Sequence, residues 1–208
     1  MPTMKTSCQF DRRQFLGRAV PFGCLSCFAA PQLVAKSVLA APADPAVHKF
    51  NEDSQSSYED RFIFAYAWTL LPHLKAVGDE IGRKRLIKIL QSAAEKQSRQ
   101  SGRKTAEEAT RPDFSSFTDW ARKPSRFWQH ALTFTTVEDT PSAFEINVTE
   151  CLWAKTFREA GGVDIGYAVI CHPDFASAEG YSTKLRLVRT KTLMQGHDCC
   201  NHRWLWKE

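Results

Sequence analysis

The residues best suited to chemistry lie close together near the end of the chain. The segment TLMQGHDCCNHRWLW, residues 192–206, places two histidines, an aspartate and two cysteines between His197 and His202. Thiolate, imidazole and carboxylate groups bind zinc, and a thiol beside an imidazole can act as a nucleophile. Cysteines can also form disulfides or pack as small apolar residues. The segment therefore permits three interpretations: a metal site, a nucleophile with its base, or a structural role.

The two adjacent cysteines of this segment are expected to point apart. If residues 199–206 form a strand, successive side chains alternate, so Cys200 and His202 share one face and Cys199 lies on the other. Neighbouring cysteines on opposite faces cannot readily bind one ion together, and a disulfide between them would be strained. The pattern therefore groups Cys200 with His202.

Two further segments of the C-terminal third place a cysteine beside ionisable residues. Glu150 precedes Cys151, and Cys171 is followed by His172 and Asp174. Two of the three cysteine-containing segments adjoin the ends of predicted strands, which allows them to meet in the fold. We therefore expect a composite site in this third of the chain.

A bound divalent metal such as zinc is one prediction for that site. Structural zinc sites usually contain two Cys-x-x-Cys or Cys/His pairs, whereas catalytic sites need only three protein ligands. Beyond residue 43 the chain has no Cys-x-x-Cys. The candidate metal ligands are Cys171, His172, His197 and Cys200.

Thiol chemistry is the second prediction. A nearby histidine or cation lowers the pKa of a thiol, and a carboxylate can orient the histidine. Cys200 with His202, or Cys171 with His172 and Asp174, has the residue types for this chemistry. The structural alternative is a disulfide such as Cys151–Cys171, with histidines that only make hydrogen bonds.

The N-terminal region indicates where these cysteines work. Residues 11–16, DRRQFL, resemble a twin-arginine leader, and a weakly apolar stretch after them ends in the small residues at 41–43. We expect residues 1–43 to be a signal read by the twin-arginine export machinery, residues 44–57 a polar linker and residues 58–208 a single domain. The mature chain is then expected in the periplasm or outside the cell.

Removal of this leader changes the charge balance. The whole chain carries 28 Lys and Arg against 23 Asp and Glu. The leader holds five of the basic residues and one of the acidic residues, which leaves 23 against 22. A nearly neutral mature chain gives no support for nucleic acid or an anionic membrane surface as a partner, and no further apolar segment is long enough to span a membrane.

The first half of the predicted domain has helical periodicity. Apolar residues on nearly every side indicate a buried helix over 57–74 that ends or kinks at Pro72. Residues 78–100 have the spacing of a surface helix, a polar and partly helical connection covers 101–113, and two short helices follow, separated at Pro124. The packing residues of these short helices are Phe114, Phe117, Trp120, Phe127 and Trp128.

The period of the pattern changes near Leu132. Alternating residues in LTFTTVE and SAFEINVTE predict a pair of antiparallel strands, and KLRLVRTKTL and CCNHRWLWK predict two more. Between these pairs lie two helical segments, one closed by Gly161-Gly162 and one interrupted at Pro173. The predicted fold class is therefore α+β, with N-terminal helices packed on a C-terminal antiparallel sheet that has a helical insertion.

The C-terminal third also resembles a known family. Four elements carry the resemblance, in chain order: Glu150-Cys151, Cys171 to Asp174, Arg189 to Leu193, and Gly196 with Cys200. Together they resemble the L-2-amino-thiazoline-4-carboxylic acid hydrolase family. Where that family tends to have Asp and Phe after the last cysteine, this chain has Asn201 and His202.

The resemblance implies a hydrolase that opens a cyclic amidine-like ring of a small-molecule substrate and yields N-carbamoyl-L-cysteine. That reaction requires water or a thiolate to add at the carbon between nitrogen and sulfur, followed by protonation of the departing sulfur. The resemblance suggests Cys171 or Cys200 as nucleophile or metal ligand. It suggests His172 or His202 as proton carrier and Asp174 as the orienting or activating carboxylate.

The resemblance suggests Arg189 or Arg203 as the partner of the substrate carboxylate, and His172 is a further candidate for substrate binding. Glu150 and Cys151 complete the set of candidate catalytic residues. The competing class is a non-enzymatic exported module that binds a metal or another ligand, or carries out redox chemistry, with the same cysteines and histidines.

Overall fold

Helices make up the first half of the region that the structure describes. The computed structural model describes residues 56–207, so the expected export signal and nearly all of the linker lie outside the described residues. The helices are α1 (Tyr58–Phe62), α2 (Leu71–Ile81), α3 (Arg83–Glu108), α4 (Phe114–Arg122), α5 (Arg126–Ala131), α6 (Leu152–Glu159), α7 (Val163–Gly166) and α8 (Asp174–Tyr181). Two π-helical segments accompany them, Ile63–Leu70 between α1 and α2 and Tyr167–Cys171 after α7. Within residues 56–207, no helix has the length and apolar character needed to span a bilayer.

The first helical region begins where the sequence predicts. Ser57 Oγ accepts the Asp60 N–H at 3.0 Å and the Asp60 carboxylate accepts the Ser57 N–H at 2.9 Å, which together form a capping box. The sequence predicts that the helix ends or kinks at Pro72, and the structure shows that it does not end there. The Leu71 N–H bonds to the Tyr66 carbonyl across the π-helical segment, and Pro72 then lies in the first turn of α2, where a missing N–H is tolerated.

The helix predicted over 78–100 is wrong at its start, because α2 continues to Ile81, and Gly82, with a φ of +89°, separates α2 from α3. Helix α3 then extends beyond the predicted end, through most of the polar connection as far as Glu108. Its later turns cross α8 with the two backbones in contact. A Cβ atom on Gly102 would overlap the Ser177 carbonyl oxygen, and one on Gly180 would overlap the Arg99 carbonyl oxygen. Only glycine permits this close approach, which fixes the position of α8 on α3.

The C-terminal strands form the antiparallel sheet that the sequence predicts. The strands are β1 (Leu132–Asp139), β2 (Ala143–Cys151), β3 (Leu185–Val188) and β4 (Cys200–Trp206). Their order in the sheet is β1-β2-β4-β3, with every neighbouring pair antiparallel. Helices α6 to α8 form the predicted insertion between β2 and β3, so the α+β class is confirmed.

Strand β4 has the two faces that side-chain alternation predicts. Cys200 pairs with Val148 and His202 pairs with Ile146 across β2. Paired residues of antiparallel strands point to the same side of the sheet, and Cys200, Val148 and Ile146 are buried. His202 therefore points toward the core, and Arg203 points to the opposite face.

Strand β3 is shorter than predicted, because at its end a side chain of β4, and not the β4 backbone, accepts the hydrogen bonds of the N–H groups there. Asn201 Oδ1 accepts the N–H groups of Thr190 at 3.0 Å and Lys191 at 2.7 Å. The chain then leaves the sheet through a 3-10 helix at Leu193–Gln195. It returns to β4 after Gly196, whose φ of +91° favours glycine.

Two buried apolar clusters meet at the junction of β2 and α6. One packs the sheet against α4 and α8 and includes Phe144 and Trp204. The other lies among the helices and includes Leu71 and Phe157. Cys151, at the end of β2, packs against both clusters and so lies between the sheet and the helical layer.

Candidate active site

A buried arginine connects three segments that carry candidate residues. Arg189 follows β3, and its side chain is only 2% exposed. Its Nη1 donates to Asp174 Oδ2 at 2.5 Å and to His202 Nε2 at 3.1 Å, and its Nη2 donates to the Cys171 carbonyl oxygen at 2.8 Å. The guanidinium also lies 5.0 Å from the centroid of the Phe175 ring. We call Arg189, Asp174, His202 and the Cys171 carbonyl the Arg189 cluster.

Local backbone structure explains why these groups converge. The second π-helical segment ends at Cys171, and the His172 N–H closes it by bonding to the Tyr167 carbonyl at 2.8 Å. Asp174 is the first residue of α8, a position where the helix dipole favours a negative charge. Strand alternation turns His202 inward from β4. The guanidinium of Arg189 fits between these elements because it donates in several directions at once.

The hydrogen bond from Arg189 decides which nitrogen of His202 carries the proton. A guanidinium can only donate, so His202 Nε2 accepts and the neutral ring is protonated at Nδ1. Nδ1 is buried and has no hydrogen-bond partner among residues 56–207. The ring stacks on Trp204, with centroids 5.5 Å apart and an interplanar angle of 15°. Burying an unpartnered donor costs about 1–3 kcal/mol, a cost more common at functional positions than in an ordinary core.

Asp174 and Arg189 form the charge pair of the cluster. Burial tends to lower the pKa of Arg189, but the neighbouring Asp174 carboxylate raises this pKa above its ordinary value, so the guanidinium stays charged. The Asp174 side chain is 41% exposed. Its Oδ2 contacts both Arg189 and, at 3.5 Å, His202. Among residues 56–207 no hydrogen bond is made to Asp174 Oδ1, so this oxygen is available to a ligand.

The thiols of the three segments come together, but the protein does not activate them. Cys151, Cys171 and Cys200 are unpaired and lie near enough for mutual effects on their pKa values. Burial is the largest cause and raises the pKa of each thiol, that of Cys151 to about 11. These thiols are therefore protonated at neutral pH, whereas a nucleophilic cysteine needs a lowered pKa. The raised pKa values do not favour a thiolate nucleophile, and Cys151 and Cys171 are unpaired in this structure.

Two of the thiols serve as backbone hydrogen-bond acceptors. Cys200 Sγ accepts the Leu193 N–H at 3.1 Å, and Cys151 Sγ accepts the Ala154 N–H at 3.5 Å at the start of α6. Within the described part of the chain, no hydrogen bond joins a histidine to a thiol. These contacts indicate that the two thiols stabilise turns around the cluster.

Asp174 lines an aromatic cleft of about 300 Å³. The cleft lies between α3, α4, α5, α8 and β4. Its aromatic wall residues are Phe117, Trp120, Trp128, Tyr181 and Trp204. Trp204 is also the ring on which His202 stacks, so one member of the cluster packs directly against a wall residue of the cleft. A carboxylate at the end of aromatic walls is suited to a small planar cation.

A larger groove, of about 770 Å³, contains the Glu150-Cys151 element. Glu150 Oε2 accepts the Thr133 hydroxyl at 2.5 Å, so this carboxylate is engaged across β1 and β2. No member of the Arg189 cluster lines the groove. We therefore assign the candidate active site to the smaller aromatic cleft, because it alone of these two cavities exposes a group of the buried charge cluster.

The four candidate metal ligands do not converge on one point. These are Cys171, His172, His197 and Cys200. His172 Nε2 bonds to Glu95 Oε1 at 2.5 Å, and His197 Nδ1 accepts the Thr192 N–H at 3.2 Å within its own loop. Among residues 56–207, no group of three or more His, Cys, Asp or Glu side chains could hold a metal ion. The residues present do not fit a zinc site.

Neither arginine predicted to bind the substrate carboxylate faces the cleft. Arg203 lies on the opposite face of β4, where its Nε donates to Glu138 at 2.8 Å and lies 3.5 Å from Glu145. The guanidinium of Arg189 is buried and does not line the cleft, whereas its partner Asp174 does. The observed partner of Arg189 is therefore the Asp174 carboxylate.

The sequence does not identify the wall residues of the cleft as functional. Phe117 and Trp120 are spaced three residues apart on one helical face, and the sequence alone suggests only packing for them. The signal that could have indicated a cavity is the excess of aromatic residues on two short helices beside a sheet. Gly102 is a second signal, because an isolated glycine within a helix often marks the close approach of another backbone.

Comparison with known proteins gives one family match. The family model for L-2-amino-thiazoline-4-carboxylic acid hydrolase matches residues 60–204. Among solved structures, a trafficking protein particle complex subunit 3 from Naegleria fowleri, covalently bound to palmitic acid, is 12% identical with a TM-score of 0.39. That match covers 65% of this chain and 93% of the other. No protein of curated function matches the chain.

Proposed function

Because this chain belongs to the L-2-amino-thiazoline-4-carboxylic acid hydrolase family, we propose that it is a hydrolase that opens a small cyclic amidine or thiazoline ring in the aromatic cleft. One observation carries the proposal. The buried guanidinium of Arg189 holds the partly exposed carboxylate of Asp174 at a cleft walled by aromatic rings. A carboxylate fixed in this way can bind a cationic ring and accept a proton from water.

The cleft matches the chemistry of such a ring. A protonated amidine is planar and positively charged, so it can pair with Asp174 and pack against the rings of Trp120 and Trp204. A volume of about 300 Å³ lies at the lower end of the range for small-molecule sites. Thr105 and Ser177 line the same cleft as Asp174, and their hydroxyl groups can donate hydrogen bonds to a substrate carboxylate.

Asp174 has the central role in the proposed reaction. It takes a proton from water as the water oxygen adds to the ring carbon between nitrogen and sulfur, which gives a tetrahedral intermediate. When the carbon–sulfur bond breaks, the sulfur takes the electron pair and receives that proton from Asp174. The hydroxyl group on that carbon loses its proton to solvent and becomes the carbonyl of a urea. This proton offsets the one that the protonated amidine carried, so that the neutral ring plus water equals the N-carbamoyl thiol product.

The other members of the Arg189 cluster support this carboxylate. Arg189 binds Asp174 Oδ2 and keeps Oδ1 directed to the ligand. His202 stacks on Trp204 and so limits movement of the Arg189–Asp174 ion pair. Both are positioning residues in this scheme. The protonated thiols Cys171 and Cys200 fill space around the cluster.

The proposal is tested by incubating the purified full chain with L-2-amino-thiazoline-4-carboxylic acid and measuring N-carbamoyl-L-cysteine by mass spectrometry. Time-dependent product that is absent with Asp174→Asn supports the hydrolase. Saturable binding of the compound without product favours the competing function, a binding module. Absence of both binding and product rejects this substrate.

We also propose that the chain is exported through the twin-arginine route to the periplasm. Arg12-Arg13, the weakly apolar stretch after this pair and the small residues at 41–43 support this proposal. Cell fractionation tests it, with Arg12→Lys and Arg13→Lys together as the control. If the native chain and the double variant were both found in the cytoplasm in equal amounts, the proposal would be contradicted.

A further inference from the structure

A side-chain pair outside the Arg189 cluster holds the turn that carries Asp174. His172 Nε2 and Glu95 Oε1 are 2.5 Å apart, although the two residues lie 77 positions apart in the chain. Glu95 is on α3, and His172 is in the turn between the second π-helical segment and α8. The His172 side chain is mostly buried, at 26% exposure, so water only partly competes for this hydrogen bond.

The turn is short and is held from both sides. His172 and Pro173 are the only residues between Cys171 and Asp174. From one side, Arg189 binds the Cys171 carbonyl and the Asp174 carboxylate. From the other side, Glu95 binds the His172 ring. Because only Pro173 separates His172 from Asp174, a shift of His172 also displaces the backbone of Asp174.

The start of helix α8 lacks a side-chain cap. Its N-cap is Pro173, which makes no side-chain capping hydrogen bond. The N–H groups of the first turn are therefore not anchored by a cap in the usual way. The position of Asp174 at the cleft then depends in part on the contacts of the turn, among which the Glu95–His172 hydrogen bond comes from α3.

We propose that Glu95 and His172 are positioning residues whose hydrogen bond fixes the turn that presents Asp174 to the aromatic cleft. This inference rests on the proposed function for its catalytic consequence. Its structural consequence, a turn that loosens when the hydrogen bond is lost, stands without that function. His172 thus acts on Asp174 through the backbone and does not carry a proton to the substrate.

A second contact between the same helices provides a matched control. Arg99 on α3 and Glu179 on α8 form an ion pair at 2.6 Å, near the glycine crossing. This pair joins α3 to the later part of α8 and leaves the turn before Asp174 untouched. If the Glu95–His172 pair only docked the two helices, loss of the Arg99–Glu179 pair would have a similar effect.

The experiment compares Glu95→Ala, Glu95→Gln and Glu179→Gln in the full chain. The first readout is ring opening of L-2-amino-thiazoline-4-carboxylic acid, with kcat and KM determined separately. The second readout is the rate at which N-ethylmaleimide alkylates Cys171, resolved by mass spectrometry of the peptides. Cys171 precedes the turn and is buried, so its alkylation reports opening of the turn whether or not the protein turns over this substrate.

We expect Glu95→Ala to lower kcat about tenfold with a smaller change in KM, because a displaced carboxylate is costly in the transition state. Alkylation of Cys171 should be several-fold faster in this variant. Glu95→Gln keeps a hydrogen-bonding partner for His172 and should restore both readouts to near the native values. Glu179→Gln should leave both unchanged.

Two results would overturn the inference. One is an unchanged alkylation rate of Cys171 in Glu95→Ala. The other is an equal effect of Glu179→Gln, which would reduce the pair to general helix docking. If the native chain shows no ring opening, the proposed function fails on that readout, and the alkylation rates still decide the positioning role.

Discussion

Arg189 and Asp174 form an ion pair whose two members differ sharply in exposure. The guanidinium is 2% exposed and the carboxylate 41%, with nitrogen and oxygen 2.5 Å apart. The Asp174 carboxylate at the aromatic cleft is thus bound by a guanidinium that is almost inaccessible to solvent. This arrangement gives Asp174 a fixed position and leaves one of its oxygens for a ligand.

Replacement of Arg189 by alanine should destabilise the fold as well as reduce turnover. The change leaves the Cys171 carbonyl and the Asp174 carboxylate without their shared partner. Loss of one member of a buried pair costs about 3–5 kcal/mol, and the exposure of Asp174 places the expected loss near the lower figure, about 3 kcal/mol. Urea denaturation measures this change in the free energy of unfolding.

Arg203→Ala is the control for that measurement. Arg203 also pairs with carboxylates, Glu138 and Glu145, but it lies on the opposite face of β4 and is 42% exposed. An exposed pair contributes about 1 kcal/mol or less. Equal losses of stability in the Arg189 and Arg203 variants would contradict the special role of the buried guanidinium.

The two thiols suggested as nucleophiles should be dispensable for chemistry. Burial raises the pKa of Cys171 and of Cys200, so neither is a thiolate at neutral pH. We expect Cys171→Ala and Cys200→Ala to keep kcat within about threefold of the native value, because a small-to-small change in the core is tolerated. A hundredfold fall in kcat in a variant that remains folded would restore the thiol mechanism.

The reactivity of Cys151 should depend on pH in a defined way. Burial raises its pKa from an ordinary value of 9.0 to about 11. The folded state therefore favours the protonated thiol, and the stability this contributes is full below pH 9 and is lost as the pH rises through about 11. Site-resolved alkylation of the folded chain should reach half of its maximal rate near pH 11. A midpoint near 9 would contradict the burial of this thiol.

Much of the fold follows from patterns that are local in the sequence. The two-residue period of LTFTTVE and SAFEINVTE predicts β1 and β2 correctly, and the same period puts Cys200 and His202 on one face of β4. The limits appear where a distant contact decides the outcome. Strand β3 ends early because the side chain of Asn201 accepts the N–H groups of Thr190 and Lys191.

The candidate site is less predictable for the same reason. The sequence identifies Asp174, Arg189 and His202 as functional candidates, but only the fold pairs Asp174 with Arg189. A pattern of residue types also cannot give the degree of burial, and burial decides that the thiols stay protonated. Glu95 has no local signal at all, since its partner His172 lies 77 positions away.

The central claim, that Asp174 performs the chemistry in the aromatic cleft, is tested most directly by the kcat of Asp174→Asn for ring opening of L-2-amino-thiazoline-4-carboxylic acid. Asparagine keeps the shape of the side chain but cannot accept the proton from water, so kcat should fall by about 100-fold or more. Glu179→Gln, which alters another carboxylate of α8, should leave kcat unchanged. A folded Asp174→Asn protein with the native kcat would contradict the account.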